Sequence, residues 1–93
     1  MNKEELLGRV VYSKAGRDAG RTFIILDVID DNYVSIVDGD LHKVEKPKKK
    51  KVKHLSITNT VIEDIKKLII SKESISNAEL RKYLGNRDVI KEG

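Results

Sequence analysis

The chain has 93 residues, which is enough for one domain and a modest appendage. Its formal net charge of +4, from 19 basic and 15 acidic residues, is too mild by itself to indicate a nucleic-acid partner. The lack of cysteine excludes disulfides, thiolate catalysis and cysteine-ligated zinc. The start is acidic and no long apolar run follows it, so we expect a soluble cytoplasmic protein without a signal peptide or membrane span.

The first half of the chain predicts short strands separated by turns. Five strands are predicted, at residues 9–14, 22–30, 33–37, 41–44 and 52–57. A lead-in at residues 3–7 is compatible with one helical turn, and Asp31-Asn32 predicts a tight hairpin turn. Five short strands at close spacing favour a small, highly curved β-barrel.

The second predicted strand is apolar on both faces. One face would carry Ile24, Leu26 and Val28, and the other Phe23, Ile25 and Ile29. Because side chains alternate along a strand, this pattern predicts cover on both faces for part of the strand.

The chain after residue 58 predicts two short helices. Thr60 with Glu63, and Ser76 with Glu79, have the spacing of capping boxes at helix N-termini. An apolar stripe at helical spacing follows the first box, and Gly85 is a good stop for the second helix, with a frayed end over residues 86–93. Helices this short are marginal alone, so they must dock on the barrel or on a partner.

A glycine-bounded basic loop, Gly16-Arg17-Asp18-Ala19-Gly20-Arg21, joins the first two strands. It has the wrong spacing for a P-loop, and it precedes a strand pattern rather than a helix. The glycines would supply positive φ or close backbone approach at both corners, and Lys14, Arg17 and Arg21, with free backbone amides, would hold a phosphodiester backbone. The alternative is a solvated turn in which Asp18 pairs with one of the arginines.

Most of the positive charge is concentrated in one segment. Residues 43–53 contain seven lysines and one glutamate, a local charge of +6 that leaves −2 for the rest of the chain. The candidate phosphate ligands are Lys43, Lys46, Lys48, Lys49, Lys50, Lys51, Lys53 and, when protonated, His54. Since Pro47 disfavours helix, we expect a lysine-rich loop that becomes ordered on binding; the alternative is a solvated, mobile charge run.

Aromatic side chains are too sparse for a recognition surface built on several stacked bases. Phe23 is predicted to lie in the core and Tyr83 to pack between helices. Tyr33 is the best stacking candidate, with a rim-packed tyrosine as its alternative. His42 and His54 have no companion ligands, so no metal, cofactor or catalytic site is predicted.

Residues 8–39 resemble a KOW motif. The similarity rests on the Gly-Arg-Asp-Ala-Gly-Arg loop, the strand ending Leu26-Asp27-Val28-Ile29-Asp30, and the return Val34-Ser35-Ile36-Val37-Asp38-Gly39. Within that superfamily it is most similar to the ribosomal protein fourteen-e type, which also lacks the further glycine that many KOW motifs carry at the position of Phe23. The resemblance implies an SH3-like β-barrel that binds ribosomal RNA.

These observations predict a mostly β protein with C-terminal helices: an SH3-like KOW β-barrel at residues 5–58 and a helical extension at 59–93. We expect a monomeric, non-enzymatic RNA-binding protein without a cofactor, whose partner is ribosomal RNA or the ribosome. Charge alone does not distinguish RNA from DNA. The alternative is a protein-interaction module of the SH3-like class, acting in transcription or translation, with the helices docking on a protein partner.

Overall fold

The computed structural model describes the backbone of residues 2–91 and the side chains of residues 2–85. Its elements are α1 (Lys3–Leu6), β1 (Arg9–Ser13), β2 (Thr22–Val28), β3 (Tyr33–Val37), β4 (Lys48–Lys51), a 3-10 turn (Val52–His54), β5 (Leu55–Val61), α2 (Glu63–Ile70) and α3 (Asn77–Lys91). Within this part of the chain, five strands form one antiparallel sheet in the order β4-β3-β2-β1-β5. The sheet is not closed, because β4 and β5 are its two edges. No helix in residues 2–91 combines the length and the apolar character needed to cross a bilayer.

The sheet is buried on both faces, as the alternation in the second strand predicts. One face carries the sheet cluster, whose buried members all come from strands: Val11, Phe23, Ile25, Val34, Ile36 and Leu55. The other face carries the helix cluster, in which strand residues meet the two C-terminal helices: Val10, Ile24, Val37, Ile65, Leu80 and Leu84. The helices are therefore held by the sheet, as their short length requires.

A bulge corrects the predicted faces at the end of β2. The register with β3 shifts between Ile25 and Asp27. This shift moves Val28 onto the sheet cluster, away from Leu26, which packs against the helix cluster. Ile29 lies beyond the strand and is 45% exposed, so the predicted two-sided burial ends at the bulge.

The fourth predicted strand, residues 41–44, is wrong. This segment forms turns instead, and its Val44 amide donates a hydrogen bond to the side chain of Asn77 in α3 at 2.9 Å. Leu41 is 55% exposed, so it does not anchor a strand to the core. The fourth strand of the sheet is instead formed by the lysines of β4, which pair with β3.

The prediction of a lysine-rich loop that becomes ordered only on binding is also wrong. Four of the seven lysines in residues 43–53 form the ordered edge strand β4. Lysine is well suited to an edge because its charge discourages pairing with another chain.

The fifth strand begins and ends later than predicted. Residues 52–54 form the 3-10 turn, and β5 extends to Val61, which pairs with Arg9 of β1. Thr60 is thus held in a strand, and the predicted capping box with Glu63 does not form. Ile62 occupies the N-cap of α2, and its aliphatic side chain has no oxygen with which to accept a capping bond.

The third helix begins where its sequence signals place it but ends later. The Ser76 hydroxyl accepts a hydrogen bond from the Glu79 amide at 3.1 Å, and both Ile75 and Leu80 belong to the helix cluster or pack against it. The predicted stop at Gly85 is wrong, because the helix continues to Lys91. The predicted frayed end therefore fails for residues 86–91, while residues 92–93 lie outside the described part. Tyr83 packs against the helix cluster as predicted and donates its hydroxyl to Asp64 at 2.8 Å.

Candidate nucleic-acid interface

The lysines of β4 point alternately to the two faces of the sheet. Lys48 and Lys50 lie opposite Ile36 and Val34 of β3, which belong to the sheet cluster. Lys49 and Lys51 lie opposite Ser35 and Tyr33, on the face that carries the helices further along the sheet. Because paired residues in antiparallel strands share a face, the run of four charges is divided into two pairs. We call these the front lysines (Lys48 and Lys50) and the back lysines (Lys49 and Lys51).

The front lysines meet the glycine-bounded loop. The Lys50 ammonium group donates to the Ala15 carbonyl at 3.4 Å, and its nitrogen would lie 3.9 Å from a Cβ atom at Gly16. Both front lysines lie close enough to Asp18 to help lower the pKa of its carboxyl. The structure thus brings together two groups of predicted ligands that are separated by about thirty residues, a juxtaposition that the sequence does not reveal.

The loop has the backbone that its glycines predict. Gly16 and Gly20 have φ of 79° and 85°, in the left-handed region that favours glycine. The amides of Ala19, Gly20 and Arg21 donate to carbonyls of Gly16, Ser13 and Asp18 at 2.8 to 3.2 Å. These three amides are therefore occupied within the hairpin, which corrects the expectation that they would be free for phosphate. Exposed Lys14 and Arg17 remain at the surface of the loop.

Asp18 is paired with His42 rather than with an arginine. Its carboxylate oxygen lies 3.0 Å from Nε2 of His42, and both side chains are largely buried. The hydrogen bond with His42 is the main cause that holds the Asp18 pKa below its usual value, with help from the positive charge of His42, Lys50 and Lys48. Its negative charge is thus satisfied inside the protein, and the imidazole also lies 5.5 Å from the Phe23 ring. Sequence reasoning missed this role of His42; the only local signal was a histidine beside acidic turn residues.

Arg21 lies at the end of the loop and is engaged by acids. Its guanidinium is 3.5 Å from the buried carboxylate of Asp38 and 3.9 Å from that of Asp40. Asp38 also accepts hydrogen bonds from the amides of Asp40 and His42, each at 2.9 Å. Arg21 therefore ties the glycine-bounded loop to the turn after β3, and its predicted contact with phosphate stays a prediction.

The back lysines lie over an aromatic ring. Lys49 places its ammonium nitrogen 4.5 Å from the centroid of Tyr33, and Lys51 places its own at 5.9 Å. Both distances are within the roughly 6 Å of a cation–π contact. Beside the ring is a surface groove, lined by Asp31, Asn32, Tyr33, Lys51, Val52 and Lys53. Tyr33 is half-buried, so it is packed at the rim while keeping a cationic group on its ring.

The other predicted ligands flank this edge of the sheet. Exposed Lys43 and Lys46 belong to the turn before β4, which is fastened to the start of α3 because the Asn77 amide group donates to Glu45 at 2.9 Å. This bond holds the pKa of the exposed Glu45 carboxyl below its usual value. Lys53 is exposed on the 3-10 turn, and His54 accepts, through its carbonyl, a hydrogen bond from the Lys14 amide at 2.8 Å.

Comparison with known proteins gives the family. A large ribosomal subunit protein eL14 from Staphylothermus marinus is 33% identical over 88 residues, covering 91% of this chain and 88% of that protein. The chain belongs to the eL14 family. The eL14 protein of Pyrobaculum aerophilum is 33% identical over 84 residues, covering 87% of this chain and 81% of that protein. The eL14 protein of Desulfurococcus amylolyticus is 41% identical over 56 residues; the chain spans 58% of that relative. No family model matches the chain.

Membership in the eL14 family confirms the resemblance to the KOW-type ribosomal protein fourteen-e, which rests on residues 8–39. It also confirms the prediction that the chain is not an enzyme, since the relatives are ribosomal proteins. In the described part of the chain, no group of three or more acidic or histidine side chains is arranged to hold a metal ion.

Proposed function

We propose that this eL14 family member binds ribosomal RNA as a monomeric component of the large ribosomal subunit in the cytoplasm. Its relatives are named as large ribosomal subunit proteins. The observation that carries the proposal is the meeting of the front lysines with the glycine-bounded loop. Phosphates are the ligands that such a cluster of ammonium and guanidinium groups attracts most strongly.

The front surface consists of Lys14, Arg17, Lys48 and Lys50. Lys50 is already in contact with the loop, and the carboxylate of the neighbouring acid, Asp18, is hydrogen-bonded to His42. In the absence of RNA these like charges repel one another. Displacing their counterions, and those of the phosphates, relieves that repulsion and makes the binding depend on salt.

The remaining predicted ligands would extend this contact along the same edge of the molecule. They are Arg21, Lys43, Lys46, Lys49, Lys51, Lys53 and His54. Arg21 would reach phosphate only while keeping, or exchanging, its ion pair with Asp38. We therefore expect Arg21 to contribute less to affinity than the front lysines do.

We also propose that the sheet is the SH3-like KOW barrel, with residues 5–58 as the RNA-binding unit and residues 59–93 as a helical extension. Two features support this. The sheet cluster joins β3 residues to Leu55 of β5, although two strands, β2 and β1, lie between β3 and β5 in the sheet; this contact requires strong curvature. In addition, β4 leads through a single 3-10 turn into β5, whose residues pair with β1.

The alternative function, a protein-interaction module that docks through the helices, has less support. Three apolar side chains of the helices, Ile65, Leu80 and Leu84, are buried in the helix cluster and are therefore not free to contact a partner. Ile70 is 53% exposed at the end of α2, but an isolated exposed apolar residue is ordinary for a protein surface.

The proposal is tested by replacing both front lysines with glutamine. If each contacts a phosphate, the slope of log affinity against log salt falls by roughly 1.4 to 1.8 for the pair. The control is a Lys67→Gln and Lys82→Gln double variant, which removes the same charge from exposed positions on α2 and α3. Affinity for a ribosomal RNA fragment would be measured by filter binding over a series of salt concentrations.

Equal salt slopes for the two double variants would show that net charge, and not the front surface, governs the affinity. A wild-type protein that binds the RNA without dependence on salt would overturn the whole proposal. Sedimentation of a cell lysate gives the second test: the protein should travel with large-subunit particles, and its complete absence from them would refute the ribosomal assignment.

A further inference from the structure

The groove beside Tyr33 is a separate feature from the front surface. It lies on the other face of β4, and its walls are the hairpin turn between β2 and β3 and the start of the 3-10 turn. The Val52 amide donates to the Asn32 carbonyl at 2.8 Å, which fixes these two walls relative to each other. The groove has a volume of about 600 Å³. Sites that hold small ligands have volumes of roughly 300 to 1,000 Å³.

The chemistry of the groove fits one unpaired nucleotide. Tyr33 offers a ring, and Lys49 and Lys51 hold ammonium groups over that ring at 4.5 and 5.9 Å. A ring that attracts cations also stacks on a base, and lysines at its edge can take the phosphate of the same nucleotide. Asp31 and Asn32 also line the groove, where hydrogen-bonding groups of a base or ribose would find acceptors and a donor.

A single RNA helix would not use both faces of β4. The front and back lysines lie on opposite faces of the strand, so a stiff helix that lies against the front lysines covers one face only. Bases inside a helix are also stacked on each other and cannot reach a side-chain ring, whereas unpaired bases can. The back lysines and Tyr33 thus suit a different part of the RNA from the front surface.

We propose that the groove beside Tyr33, together with the ammonium groups of Lys49 and Lys51 over the Tyr33 ring, is a subsite for an unpaired nucleotide, next to a helix bound at the front surface. The preferred ligand is therefore an RNA helix that continues into a single strand. On binding, the base replaces the Lys49 ammonium group on the Tyr33 ring, and that ammonium group moves to the phosphate. This inference rests on the proposed function, since it assumes that the front surface binds an RNA helix.

The test compares two RNA duplexes with the same number of phosphates. One is blunt, and the other has a shorter stem with oligoadenosine tails on both strands. The readout is the ratio of affinities, tailed over blunt, at one salt concentration. Since stacking of one base on an aromatic side chain contributes about 1 to 3 kcal/mol, we expect the wild-type ratio to be at least about fivefold.

Three variants identify the cause of that ratio. Tyr33→Leu removes the ring but keeps an apolar side chain at the rim, and it should bring the ratio close to one. Tyr33→Phe keeps the ring and should keep the ratio. Replacing Lys49 and Lys51 with glutamine should lower the ratio, whereas the Lys67→Gln and Lys82→Gln control should leave it unchanged. Thermal unfolding followed by circular dichroism checks that each variant is folded.

A wild-type ratio of one, or a ratio that survives in folded Tyr33→Leu, would overturn the subsite. In either case, blunt-duplex binding that still depends on the front lysines would leave the proposed function standing. If neither duplex bound at all, both the subsite and the proposed function would be refuted.

Discussion

Replacing Gly39 with alanine should destabilise the protein, because the added Cβ atom would collide with the first turn of α3 and displace that helix from the sheet. Gly39 follows β3 and has φ of 78°. A Cβ atom there would collide with the Asn77 carbonyl oxygen and would lie 3.1 Å from the Leu80 Cβ. Both contacts belong to the first turn of α3, where backbone atoms cannot move independently of the helix. The matched variant is Gly20→Ala: φ is 85°, but the added Cβ would meet no atom within 4 Å.

The two variants separate strain from collision. The left-handed conformation costs an alanine about 1 to 2 kcal/mol, and the lower entropy of the unfolded chain returns about 0.4 to 1 kcal/mol. Gly20→Ala should therefore lower the free energy of unfolding by about 1 kcal/mol. Gly39→Ala carries the same term and an overpacking term of about 1 to 3 kcal/mol, for a total of about 2 to 4 kcal/mol.

Urea unfolding of the wild type and both variants would measure these free energies. For a domain of this size each 1 kcal/mol corresponds to about 4 to 8 °C in Tm, so thermal unfolding should also separate the two variants. Equal destabilisation by Gly20→Ala and Gly39→Ala would refute the reasoning, because it would mean that the contact between the turn and α3 places no steric limit on position 39.

Three further changes test other parts of the fold. The hydrogen bond with His42 lowers the Asp18 pKa from 3.8, so the contribution of Asp18 to stability is present above about pH 4 and is lost as the pH falls through the lower folded value. In denaturant unfolding, Asp18→Asn should therefore make the free energy of unfolding fall less steeply with decreasing pH. Phe23→Ala should lower the unfolding free energy by about 3 to 5 kcal/mol, while Ile29→Ala, at an exposed position, should change it by less than about 0.5 kcal/mol. Thr58→Val removes a 2.6 Å hydrogen bond to a carbonyl of β1 and should cost about 1 to 3 kcal/mol in the same assay, whereas no cost would show that water replaces the bond.

The sequence predicted the central part of the sheet because its signals are local. β-branched alternation identified β1, β2 and β3, and Asp31-Asn32 identified the turn that joins the last two. Phe23 was predicted as a core residue and is fully buried. Of the two roles predicted for Gly16 and Gly20, positive φ or close backbone approach, the structure shows positive φ at both. Each of these features depends on residues within a few positions of one another.

The sequence failed where distant contacts outweigh local preference. Thr60 and Glu63 have the spacing of a capping box, yet pairing of Val61 with Arg9 keeps that segment in β5. Leu41 and Val44 have the pattern of a strand, but the Val44 amide donates its hydrogen bond to the Asn77 side chain of α3 instead of to a neighbouring strand. In both places, partners far away in the chain satisfy backbone groups that a local pattern assigns elsewhere.

The sequence by itself determined where the positive charge lies in the chain, which glycines bound the basic loop, and the family to which the chain belongs. Only the tertiary structure decided how that charge is presented. A run of identical lysines has no alternation of its own, so nothing local fixes its register or its faces. Pairing with β3 sets both, and it directs Lys48 and Lys50 to the glycine-bounded loop and Lys49 and Lys51 to Tyr33. The tertiary structure likewise chose His42 as the partner of Asp18, because side chains 24 positions apart meet only when the sheet is formed.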